Sequence, residues 1–213
     1  MELDLPKPRL RGVFHQWAFF AAVAAGVVLV ALADGPRERF ASWVYAAALA
    51  AMFGASAVYH RVDWRTPARR ALARRLDHST IFLFIAGTYT PFALLALEGA
   101  TAIVLLVVVW TGALAGLAVN LCWIDAPKWA AALAYLGVGW VGVLAAPQLF
   151  SSLGVAAAVL VLVGGGLYTA GAVIYSLRRP DPFPAVFGFH EVFHVLVVAA
   201  AVTQFVAVSL VVL

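Results

Sequence analysis

Apolar runs of about 20 residues follow one another along this chain almost without a break. They cover 13–33, 40–60, 78–97, 101–121, 129–147, 154–177 and 187–212. Each is long enough to cross the hydrocarbon layer of a bilayer as a helix. Turn residues or charges separate them: Asp34-Gly35-Pro36, Glu98-Gly99, Asp125-Ala126-Pro127, Ser151-Ser152 and the segment from Arg178 to Pro184. Helices satisfy their own backbone polar groups in lipid, and the alternating short segments of a membrane barrel do not occur. The expected fold is an all-α membrane protein, one domain over residues 1–213, with seven transmembrane helices. Only 11% of the residues are charged, where a soluble domain carries about 25%. A soluble enzyme on a single anchor is thereby excluded. The one cysteine, Cys122, excludes an intrachain disulfide framework and any cysteine-rich metal cluster.

Charge placement gives the bundle a direction. Of the 14 lysines and arginines, 12 fall before the first span, in 61–76, at Lys128 and at Arg178 and Arg179. The other two, Arg37 and Arg39, lie in the loop between the first and second spans. Basic residues collect on the cytoplasmic side, which predicts a cytoplasmic N-terminus and an external C-terminus. Ala31-Leu32-Ala33 resembles a signal-peptidase site, but its run is longer than a signal core and holds His15, Gln16 and Trp17. The first span is expected to stay.

Direction then fixes depth. His60 ends a span that runs inward, while Asp77 and His78 open one that starts inside. His190 and His194 open another that starts inside. Three helices thus bring ionisable side chains to one layer of one leaflet, where such groups are costly and face the bundle interior. His190 and His194 stand one turn apart on one helix face, about 6 Å in depth. Ser56 and His60 share the same spacing. Three neutral imidazoles suit Zn2+ with a fourth position open to water. Asp77 is either a further ligand or the acceptor that holds that water, and it also suits a helix N-cap. Ser56 suits either close packing or the site.

The segments "SAVYH" (56–60), "LDHSTIFLFIAGTYTP" (76–91) and "HEVFH" (190–194) resemble the three signature blocks of the hemolysin III proteins. Those proteins form the bacterial branch of the progestin and adipoQ receptor family, which includes the adiponectin receptors. "GGGLYTAGAVIYSLRRPDPFP" (164–184) is similar to the family's sixth helix and the loop after it. The resemblance implies His60, His190 and His194 as zinc ligands, Asp77 as the residue orienting the bound water and Ser56 beside it. It also implies ceramidase-like hydrolysis of lipid amides. The long cytoplasmic N-terminal domain of the animal receptors has no counterpart here, so hormone reception is not implied.

HEVFH also matches H-E-x-x-H, in which the glutamate is a protease's general base. Intramembrane proteases of that kind add a carboxylate from an Asp-Gly-type segment deep in another span. Here Asp34-Gly35 lies in a loop on the opposite side, so Glu191 reads as a neighbour of the site. His15 reads as an interfacial residue without a partner, and His78 as turned toward a neighbouring helix. Basic stretch 61–76 reads as a short surface helix capped by Thr66-Pro67, its arginines meeting anionic lipid headgroups. Nucleic acid is not an expected partner. The expected function is a zinc-dependent hydrolase of lipid amides at the cytoplasmic leaflet of the cell membrane. Two alternatives are a zinc-containing membrane sensor without turnover and a pore-forming hemolysin. Gln16, Thr101, Asn120, Gln148 and Gln204 make no polar stripe that would line a pore.

Overall fold

The computed structural model describes residues 7–123 and 125–213, and these are helical almost throughout. The order is α1 (Val13–Leu32), α2 (Pro36–Arg61), α3 (Pro67–Leu95), α4 (Gly99–Cys122), α5 (Lys128–Gly139), a 3-10 segment (Val141–Ala145), α6 (Ala146–Leu177) and α7 (Phe189–Val212). Among the described residues the one β contact is an isolated bridge between Phe183 and Phe187. Six stretches are long and apolar enough to cross a membrane, the last but one running from Lys128 to Leu177.

Side chains are arranged as lipid demands. Val27, Leu144, Val155 and Leu177 point outward, while His60, Asp77, Glu191 and His194 are buried. Polar groups in lipid are sheltered by protein, so the polar residues mark the interior. Helices adjacent in sequence pack together, and α7 also touches α1, α2 and α3. The last helix therefore closes the bundle against the first three. Small residues permit close approach: a Cβ on Gly116 would meet the Phe82 ring, and one on Gly112 would meet Val138.

The third helix differs from the sequence expectation. Basic stretch 61–76 is not a separate surface helix: α3 starts at Pro67 and continues through the arginines into the span. Thr66 does cap it, accepting the Arg69 N–H at 3.4 Å. Ala and Leu between the arginines are good helix formers and nothing interrupts them, so the helix has no reason to stop. Asp77 consequently lies 10 residues past Pro67, inside α3 rather than at its N-cap.

Two spans are expected over residues 128–177, and the helices there are uneven. α5 ends at Gly139, the chain tightens through 141–145, and α6 begins before the expected turn. A kink sits within α6, at Gly154, whose φ of 67° and ψ of 163° are open essentially to glycine alone. Lys128 lies over the Tyr175 ring at 5.2 Å, and the Trp140 indole N–H donates to Thr169 Oγ1 at 3.1 Å. Those two pairings make α5 and the later part of α6 antiparallel.

Candidate metal centre

Three helices bring their polar residues together. His60 occupies the last turn of α2, Asp77 lies within α3, and His190 and His194 occupy the first turns of α7. The three imidazoles are buried, and each offers a nitrogen such that all three lie within 4.8 Å of one another. His60 Nε2 and His190 Nε2 are 3.2 Å apart. Two nitrogens on one tetrahedral zinc, each at about 2.0–2.1 Å, stand about 3.3–3.4 Å apart. The spacing of this pair therefore fits a shared ion. His194 Nδ1 is buried without a hydrogen-bond partner among the described residues, a costly state for a polar atom.

Asp77 Oδ2 lies 3.5 Å from His60 Nε2, so the carboxylate sits beside the trio. Ser56, one turn before His60, is buried and lines the same cavity as Asp77. All five residues expected at the site, Ser56, His60, Asp77, His190 and His194, are thus brought together. His78 is not part of the trio; its backbone carbonyl accepts the Tyr135 hydroxyl at 3.3 Å.

Sequence reasoning misses His15. It is buried at 3% exposure, bonded to Ser56 Oγ at 2.8 Å and stacked on His194 with ring centroids 3.8 Å apart. A signal for it exists, since a cytoplasmic N-terminus places the start of α1 at the level of His190. Arg11 is missed as well. It forms an ion pair with Glu191, whose second oxygen accepts the Gly188 N–H at 2.8 Å. Both oxygens of Glu191 are therefore occupied in holding the start of α7. The preceding backbone is tied down too, as Arg9 and Leu10 donate to Ala185 and Val186 carbonyls at 3.1 Å.

The centre opens into a cavity of about 390 Å³ that runs between α3, α5, α6 and α7. Ser56, Asp77, His190 and His194 form its polar end, while Phe84, Ile85, Leu136, Leu149 and Val197 make most of its length apolar. A cavity of this size takes a small molecule or part of a larger apolar one.

Comparison with known proteins gives the family. The family described as "Haemolysin-III related" matches residues 3–205, from the segment before α1 into α7. The chain is 32% identical to the Hemolysin-3 of Bacillus cereus over 162 residues, 76% of this chain and 70% of that protein. It is 35% identical to the Hemolysin-3 homolog of Bacillus subtilis (strain 168) over 130 residues, 61% of this chain. That match spans only 58% of the Bacillus subtilis protein. Identity to the Homo sapiens Monocyte to macrophage differentiation factor is 25% over 197 residues, 91% of this chain and 79% of that one. With apolar helices throughout and the family's match extending over every helix, the chain belongs to the haemolysin-III family of multi-pass membrane proteins.

Proposed function

We propose that this protein is a zinc-dependent hydrolase of a lipid amide, acting at the cytoplasmic leaflet. The observation that carries this is the opening of a buried three-histidine cluster into an apolar cavity inside the bundle. A soluble substrate has no use for such a cavity; an acyl chain does. His60, His190 and His194 would hold the metal, which supplies a Lewis acid and makes water ionisable near neutral pH.

The residues around it have separate tasks. Hydrolysis adds water across the amide C–N bond: OH goes to the acyl carbon and H to the departing nitrogen. Asp77, beside His60, is placed to take a proton from water and deliver it to that nitrogen. Ser56 offers a hydroxyl to the acyl oxygen or to water. The apolar walls exclude bulk water and fix the chain, so the amide arrives oriented.

Seven passes suit this function better than six. The antiparallel pairing of α5 with the later part of α6 supports a chain that crosses twice between 128 and 177. With the basic residues inside, the centre then faces the cytoplasmic leaflet, and the arginines at the start of α3 lie where anionic headgroups gather.

The test uses purified full-length protein in detergent. Zinc measured by elemental analysis should be near stoichiometric, and a fluorescent N-acyl lipid should be cleaved, with His190→Ala losing both. Zinc without any amide product would leave a non-catalytic sensor. Leakage of dye from liposomes at low protein, unaffected by His190→Ala, would favour the pore that the name of the Bacillus cereus relative suggests.

A further inference from the structure

We propose that His15 is a positioning residue of this centre, steering the Ser56 hydroxyl through its Nδ1 and bracing the His194 ring with its face. The inference rests on the metal-site reading but lies beyond it, because His15 is outside the three-histidine group.

Its placement starts with the backbone. Gly12 precedes α1 with a φ of +79°, and a Cβ there would lie 2.5 Å from His60 Cβ. The missing side chain lets the start of α1 press directly on the end of α2. Three residues later His15 is carried into the bundle, at 3% exposure. There it is gripped on two sides: its ring lies nearly parallel to His194, 16° between planes, and Phe53 meets it edge-on at 5.0 Å.

The 2.8 Å contact joins a ring nitrogen to a hydroxyl, so either His15 Nδ1–H donates to Ser56 Oγ or the Ser56 hydroxyl donates to Nδ1. In both tautomers the bond fixes where the Ser56 hydroxyl points. Without His15 the hydroxyl is free to turn away, and His194 loses the surface that limits its rotation. Groups behind a metal's ligands commonly change metal affinity by about 10–100-fold when removed.

Three substitutions separate the two contacts. His15→Ala removes both, His15→Phe keeps a flat ring against His194, and His15→Asn puts an N–H close to where Nδ1 stood. Full-length protein is titrated with Zn2+ against a competing chelator, and Co2+-loaded protein is examined by visible absorption. His15→Ala should weaken zinc by about 10-fold or more and shift the Co2+ bands. Phe and Asn should each recover part of the loss. Ser56→Ala should shift the Co2+ bands in the wild type and add less in the His15→Phe background, since the bond that orients the hydroxyl is already gone.

Wild-type zinc affinity and Co2+ bands in His15→Ala overturn the proposal, as does a full Ser56→Ala effect on top of His15→Phe. If His15→Ala does not fold, the Phe and Asn variants decide by the same criteria. His60→Ala is the control. Zinc bound by wild type, lost in His60→Ala and unchanged in all His15 variants sinks this proposal alone. No zinc in the wild type overturns the metal site and the proposal together.

Discussion

Arg11 and Glu191 form an ion pair that ties the segment before α1 to the first turn of α7. Glu191 is completely buried, and its other oxygen accepts the Gly188 N–H, closing a capping box at the start of that helix. In HEVFH the two histidines face the centre while the glutamate between them turns to the backbone and to Arg11. A general base faces the reacting water, and both oxygens of Glu191 are turned instead to Arg11 and to the Gly188 N–H.

Asp77 and Glu191 should therefore fail in different ways. Breaking a buried pair costs about 3–5 kcal/mol, and less here because Arg11 keeps 22% of its side chain exposed. Arg11→Ala and Glu191→Ala should lower the melting temperature while the folded fraction keeps its zinc. Asp77→Ala should retain zinc and abolish cleavage of an N-acyl lipid. Measuring zinc per folded protein, melting temperature and product for each variant separates the two roles. Activity retained in Asp77→Ala but lost in a folded Glu191→Ala would restore the protease-like role of Glu191.

Much of this arrangement is legible in the amino-acid sequence. Period and length identify the helices, and loop charge puts His60, Asp77 and His190 at one level. Helix boundaries are less legible where polar and apolar segments share a helix: Arg69 to Arg75 read as a separate surface helix because their charge sets them apart from the apolar span that they continue into. The break at Gly154 falls two residues past the expected Ser151-Ser152 turn, since serines mark the loop but the one backbone conformation at Gly154 leaves no compositional trace. His15 and Arg11 escape for another reason. Their partners lie on helices far along the chain, and spacing reports only neighbours on the same helix.

The direction of the bundle can be checked chemically. Cys122 is exposed, so it is first replaced by serine. Single cysteines at position 65 and after Leu213 are then labelled in intact cells with an impermeant maleimide. The C-terminal site should react at once and position 65 only after the membrane is opened. Equal reactivity on one side would mean an even number of passes, as six would give.

Gly154 should be intolerant for a reason unrelated to space. A Cβ there would meet nothing within 4 Å, so crowding is not the issue. Its φ of 67° with ψ of 163° is a region that other residues enter at a cost of about 1–3 kcal/mol. Gly166, also open to a Cβ but with no positive φ, is the matched control. Gly154→Ala should lower the melting temperature, while Gly166→Ala should leave it unchanged or raise it, because alanine favours a helix. Equal tolerance at both sites would mean that the chain does not kink at Gly154.

Metal binding should depend on pH with a definite sign. A ligand imidazole must be neutral, and ordinary histidine titrates near about 6.5. Protons compete with the metal below that value, so zinc affinity should be constant at alkaline pH and fall as pH drops through the imidazole range. Stability should follow. A metal held only by the folded state stabilises it, by about 2.7 kcal/mol when its free concentration is 100 times the Kd. The rise in melting temperature on adding zinc should be largest above neutral pH and vanish in acid. His60→Ala, His190→Ala and His194→Ala each remove one of the three imidazoles that converge within 4.8 Å, so each should abolish most of the zinc-dependent rise. His78→Ala should retain it, because His78 lies outside that group. The measurement is melting temperature with zinc and with chelator from pH 5 to 9 for wild type and the four variants. A zinc-dependent rise that persists in His60→Ala would remove α2 from the centre and leave the α7 pair to find its third ligand elsewhere.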